Sequence, residues 1–105
     1  MKEYNSYLDK IFLSLQDDKA IDPKIIDLRE KTFFADYMVI ASGNSSRHIT
    51  SMAEHLKEKL NKKRKIRIEG MNKSDWVLID CNEIIVHIFL PEARSYYNLE
   101  KIWAI

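Results

Sequence analysis

Three histidines, one cysteine, a serine pair and a basic run are the residues here whose chemistry could serve a reaction or a ligand. His48 and His55 lie seven positions apart, two turns along one helical pattern, and His87 stands in a strand-like run, so no metal-ligand pattern forms. Neither an HExxH nor a CxxC motif occurs, and a lone Cys81 can build neither an internal disulfide nor a thiolate cage. That fits a reducing compartment and makes Cys81 a small loop residue rather than a nucleophile. Ser45 and Ser46 near His48 have the composition of a nucleophile and its base. Serines at a helix start are usually caps, however, and no GxSxG elbow accompanies them. Gly43-Asn44-Ser45 could hold an anion on backbone N–H groups, although one glycine is a weak phosphate-loop signal. No catalytic residue, metal, cofactor or small-molecule substrate is expected.

The cations cluster. Lys57, Lys59, Lys62, Lys63, Arg64, Lys65 and Arg67 make the end of one helical pattern and its exit positive, opposed only by Glu58. Cations complement the negative end of a helix dipole, so a solvated face explains them; contact with RNA phosphates is the functional alternative. No aromatic residue is interleaved for base stacking. The whole chain carries a formal charge of only +1, which argues against finding nucleic acid by overall charge.

A second constellation sits in Trp76–Asp80 and Glu83–Leu90, two β-rich runs separated by Cys81-Asn82. If those two residues form the turn, Asp80 lies opposite Glu83, Leu78 opposite Ile85 and Trp76 opposite His87. These six share one face, and Phe89 extends it. The other face, Val77, Ile79, Ile84, Val86, Ile88 and Leu90, is aliphatic and suited to a core. An indole, a phenyl ring, an imidazole and turn carboxylates on one surface form the mixture found at protein interfaces. Burial under another helix is the alternative. An acidic turn suits a basic partner.

These residues need a scaffold, and the 105-residue chain is the size of one domain, 1–105. Hydrophobic residues make up 46% and charged residues 31%, a globular balance. With two Gly and two Pro there is no linker or repeat. Tyr4, Leu8, Ile11, Phe12 and Leu15 predict an opening helix ending near Asp17-Asp18-Lys19, and Pro23 marks the following turn. Ile25–Leu28 reads as a short strand and Lys31–Ala35 as a connection. Tyr37–Ala41 is a strand too apolar to face solvent, hence central. Ser42–Ser45 breaks it and caps a helix with the stripe Ile49, Met52, Ala53, Leu56 and Leu60. Ile66–Glu69 is a short strand, Gly70–Ser74 a loop, then the hairpin, a stop at Pro91 and a last helix through Tyr96, Leu99, Ile102 and Trp103. The order is α-β-β-α-β-β-β-α with a mixed sheet, an α/β fold. The opening residues run straight into the helical pattern and no apolar run approaches the ~18 residues of a membrane span, so a cytoplasmic protein is expected.

Ile26-Asp27-Leu28-Arg29, the run Phe34 to His48, Glu69-Gly70, Asp75 to Asp80, Val86 to Phe89, and Arg94, Tyr97, Leu99, Glu100 and Trp103 together resemble the ribosomal silencing factor family, also called RsfS or Iojap-like proteins. The resemblance runs over nearly the whole chain in order and spacing. It implies a nucleotidyltransferase-like α/β domain that binds ribosomal protein fourteen of the large subunit. It further implies that the domain blocks joining of the small subunit, represses translation when nutrients are scarce, and serves large-subunit assembly. Nucleotidyltransferases follow a Gly-Ser helix start with paired acids on the next strand, where this chain has Ile66-Arg67-Ile68-Glu69. An Arg there repels metal ions, so catalysis is not expected. Relatives usually carry Gly before the Asp-Trp pair and in the hairpin turn, where Ser74 and Asn82 stand here.

The partner contact is therefore assigned to Asp75, Trp76, Leu78, Asp80 and His87, with Trp76 as anchor. Asp36, Glu83, Phe89, Arg94 and Tyr97 are contributors. Lys62, Lys63, Arg64 and Lys65 would touch rRNA if the basic run is used, which makes an RNA-binding assembly factor the rival reading. An exposed aromatic face can also pair with itself, so a homodimer is a further expectation.

Overall fold

A computed structural model describes residues 6–60, 65–70 and 75–103. Helix α1 (Ser6–Asp17) leads into strand β1 (Ile21–Asp27), β2 (Tyr37–Ser42), helix α2 (Ser46–Leu60), β3 (Arg67–Glu69), β4 (Trp76–Asp80), β5 (Ile84–Phe89), α3 (Pro91–Tyr97) and α4 (Leu99–Trp103). The five strands form one mixed sheet in the order β1-β2-β5-β4-β3, with β2 and β5 parallel and the other neighbours antiparallel.

The predicted order holds, and its boundaries shift for local reasons. Pro23 does not end a turn; it lies inside β1, where the register slips between Ile21 and Lys24 and Asp22 adopts a φ of 48°. An edge strand at a bulge is where a residue without an N–H costs no ladder bond. The last helix is two, because Asn98 takes the left-handed conformation (φ 47°) and donates its N–H to the Arg94 carbonyl, closing α3. Every residue of β2 is buried, as its apolar run required, but the middle strand of the sheet is β5.

The sheet separates two layers of apolar packing. On one face Val39, Ala41, Val77, Ile79, Ile84, Val86 and Ile88 pack beneath α1 and α2, which supply Leu8, Ile11, Leu15, Ile49, Met52 and Leu56. Buried Cys81 belongs to this core. On the opposite face Met38, Ile40 and Phe89 join Leu28 and Ala35 from the β1–β2 connection and Ala93 from α3. Helix α2 starts where Ser45 Oγ accepts the His48 N–H at 3.1 Å, a helix cap. Gly43 lets the strand approach this helix: a Cβ there would lie 2.6 Å from Ile49 Cγ2 and 2.8 Å from Met52 Cε.

Candidate functional site

The hairpin register differs from the expected one. Trp76 pairs with Phe89, Leu78 with His87 and Asp80 with Ile85, and Cys81 N–H bonds the Ile84 carbonyl at 2.9 Å. The two-residue loop is Asn82-Glu83, with Asn82 at φ 74°. Asp80 sets this position, because its Oδ1 accepts the Asn82 N–H at 2.9 Å and turns the chain one residue later than Cys81-Asn82 would. The pairing moves by two positions, an even number, so every side chain keeps its face. The division into an aliphatic core face and a mixed face survives intact.

Adjacent strands then align the mixed face in rows. Ile26, Met38, Ile85, Asp80 and Arg67 form one; Lys24, Ile40, His87, Leu78 and Glu69 form the next; Ser42, Phe89 and Trp76 form a third. Helices α3 and α4 cover the Phe89 end through Ala93 and Leu99. Beyond them Trp76, Leu78, Asp80 and Ile85 remain partly accessible. The strip they make runs across β4 and β5 and ends at β3, where Arg67 Nη2 stands 3.6 Å from Asp80 Oδ2.

Trp76 is held in place. Its Nε1–H donates to His87 Nδ1 at 3.0 Å, and its ring packs 4.9 Å from Phe89 and 4.6 Å from Tyr97, centroid to centroid. His87 is only 6% exposed, and that burial pushes its pKa down to about 4. The imidazole is therefore neutral near pH 7, with Nδ1 accepting from the indole and the proton on Nε2. The geometry fixes the indole without consuming all of its surface.

The assigned residues divide accordingly. Trp76, Leu78, Asp80, Asp75, Tyr97, Glu83 and Asp36 all reach the surface. Asp36 and Tyr37 donate their N–H groups to the Glu83 carbonyl at 2.7 and 3.2 Å, which joins the β1–β2 connection to the hairpin turn. Phe89 and His87 are both buried and support the face from beneath. Arg94 is engaged within the chain. Its side chain, 11% exposed, bonds Glu100 through Nε and Nη2 at 3.0 and 3.1 Å. It also bonds the Ser42 hydroxyl at 3.0 Å and the Ile21 and Asp22 carbonyls at 3.2 and 2.8 Å. Arg94 fastens α3 and α4 to the β1 bulge and is spent there.

The other two histidines make contacts between elements. His48 accepts the Asn44 N–H on Nδ1 at 2.9 Å and donates from Nε2 to the Asp18 carbonyl at 2.8 Å, while His55 Nδ1 lies 2.7 Å from Asp18 Oδ2. Both histidines dock α2 onto the end of α1. Among the described residues no group of His, Cys, Asp or Glu converges in a metal-binding arrangement, and no helix is long and apolar enough to cross a membrane. Of the basic run, Lys62, Lys63 and Arg64, like Ser74, lie outside the described residues; Lys65 is exposed. The groove beside it, about 910 Å³, mixes Lys57 and Arg67 with Glu54, Glu58 and Glu69, so its walls do not form an anion channel. Sequence reasoning missed Arg67 and Glu69 as members of the face. Their alternation was visible, but their pairing with β4 was not. It also missed exposed Phe33 and Tyr96, which no periodic pattern marks.

Comparison with known proteins adds a relationship. A family described as ribosomal silencing factor during starvation matches residues 2–105. The ribosomal silencing factor RsfS of Zymomonas mobilis is 49% identical over 92 residues, covering 86% of this chain and 69% of that protein. A mouse protein named for mitochondrial assembly of the ribosomal large subunit is 34% identical over 104 residues, covering 93% of this chain and 45% of its own length. A crystal structure of a Chromobacterium violaceum protein superposes with a TM-score of 0.91 at 30% identity, over 98% of this chain and 88% of that one.

Proposed function

The chain belongs to the ribosomal silencing factor family, and from that membership we propose that it silences translation by docking on the large ribosomal subunit through ribosomal protein fourteen. The action is steric and involves no chemical step. A body of 36 × 32 × 23 Å seated on the subunit interface keeps the small subunit from joining. The same seat accounts for a role in large-subunit assembly, in keeping with the mouse relative's name.

One observation carries the reading: the Trp76, Leu78 and Ile85 strip stays partly accessible on a sheet whose opposite face packs beneath α1 and α2, and its aromatic anchor is already locked by His87. A pre-positioned aromatic side chain beside aliphatic ones, rimmed by Asp75, Asp80 and Glu83, is the composition of a binding hot spot for a basic protein. Little ordering entropy remains to be lost on binding.

Sedimentation with purified ribosomal subunits tests it. The protein should comigrate with large subunits and not small ones, and Leu78→Arg, at a partly exposed position outside both core clusters, should abolish comigration. Trp76→Ala should do the same. Comigration unaffected by both changes sinks the docking face. Loss on reversing Lys62, Lys63 and Arg64, with Leu78→Arg harmless, would transfer the contact to rRNA.

A further inference from the structure

The connection between β1 and β2 is folded the wrong way round for stability. It buries Leu28 and the small Ala35 against Met38 and Ile40, yet it displays Phe33, which is fully exposed, and Phe34, which is more than half exposed. The side chains with most to gain from burial are the ones outside. Scattered exposed apolar residues are ordinary, but two adjacent phenyl rings on a fixed loop are not a scattering.

The loop is fixed at several points. Leu28 N–H bonds the Asp36 carbonyl across its neck at 2.8 Å, the Leu28 carbonyl accepts the N–H groups of Lys31 and Thr32, and Thr32 Oγ1 accepts the Phe34 N–H at 3.3 Å. The Asp36 N–H ties the loop to the hairpin turn through the Glu83 carbonyl at 2.7 Å. Phe33 is thus carried on the same rigid frame as the Leu78 and Ile85 strip, and Ile85 shares its row with Met38, which packs with loop residues Leu28 and Ala35.

The surrounding charge selects the occupant. Arg29 pairs with Asp27 at 2.6 Å, and the loop and the hairpin turn joined to it carry four carboxylates, Asp27, Glu30, Asp36 and Glu83, against two cations, Arg29 and Lys31. An apolar knob within an acidic rim fits a basic protein surface with an apolar socket and repels nucleic acid and anionic lipid.

We propose that Phe33 is a second anchor for the same basic large-subunit protein, placed at the turn end of the docking face while Trp76 holds the other end. The proposal rests on the docking reading above. Two anchors at separated points fix the orientation of the bound protein, which steric exclusion of the small subunit requires and one anchor does not supply.

The test compares full-length Phe33→Ser, Phe33→Tyr and Leu78→Arg in sedimentation with purified large subunits, alongside thermal unfolding. Phe33→Ser should weaken binding by about 10- to 30-fold, as expected for loss of an interface hot spot, with an unchanged melting temperature. Phe33→Tyr should retain most of the affinity. Wild-type binding by Phe33→Ser, with Leu78→Arg inactive, overturns the second anchor and leaves the docking face standing. Loss with Phe33→Ser and none with Leu78→Arg upholds the loop and overturns the strip. If Phe33→Ser instead abolishes dimerisation in light scattering, or capture by phosphatidylcholine vesicles in flotation, while leaving ribosome binding intact, the assignment to a ribosomal protein is overturned.

Discussion

Replacing His87 by Gln should remove a pH dependence that the wild-type fold carries between about pH 7 and pH 4. In the folded protein burial holds the His87 pKa at about 4, against 6.5 for an ordinary histidine. The unfolded chain takes the proton first, so the contribution of neutral His87 is complete above 6.5 and is lost as pH falls toward 4. At pH 5 the loss is about 2 kcal/mol, and it saturates near 3 kcal/mol once both states are protonated. For a domain of this size 2 kcal/mol corresponds to roughly 10 °C in melting temperature. The geometry agrees: a proton on Nδ1 would face the Trp76 Nε1–H now 3.0 Å away, and the bond that orients the anchor would break. Gln can accept the indole proton without titrating, so the difference between wild type and His87→Gln cancels the carboxylates and the other histidines. Urea unfolding followed by tryptophan fluorescence at pH 7, 6 and 5 measures it. Curves for the two proteins that fall in parallel would refute the reasoning, since the buried imidazole would then carry no linkage.

Gly43→Ala should cost about 1–3 kcal/mol in urea unfolding, because the new methyl meets the β-branched Ile49 at 2.6 Å and the β2–α2 packing must open. Subunit comigration should survive wherever the variant is folded, because Gly43 is remote in role from the docking strip. Arg94→Gln should destabilise by about 1–3 kcal/mol and speed amide exchange in α4 while α2 stays protected; uniform exchange across both helices would show that Arg94 is no local fastener. The Arg94 guanidinium holds the Glu100 carboxyl below its ordinary pKa. The stabilisation from that pair is therefore present above the usual carboxylate range and is lost as pH falls through the lowered value, a step that Arg94→Gln should abolish.

How much of this was legible beforehand depends on the range of the interactions. The aliphatic alternation of Val77, Ile79, Ile84, Val86 and Ile88 could be read because a strand turns each successive side chain to the opposite face. A misplaced turn could not spoil that reading, since the Asp80 to Asn82 bond shifted the pairing by an even step. The serine cap was equally local. Asn98, by contrast, sat within what reads as one helical stripe, and nothing nearby announced that it would adopt the left-handed conformation and divide the stripe.

What the sequence determined by itself was the set of elements, their faces and the mixed composition of the one hairpin face proposed for docking. These follow from periodicity and from the chemistry of adjacent residues. The tertiary structure alone decided which members of that face are available. Arg94 is sequestered by carbonyls of Ile21 and Asp22, more than seventy positions away, and Phe89 and His87 are sealed by α3 and the indole. Arg67 and Glu69 join the surface only because β3 pairs with β4. Side-chain type says what a residue can do in contact, but exposure is set by which distant segment packs above it, and that is fixed only when the sheet order is.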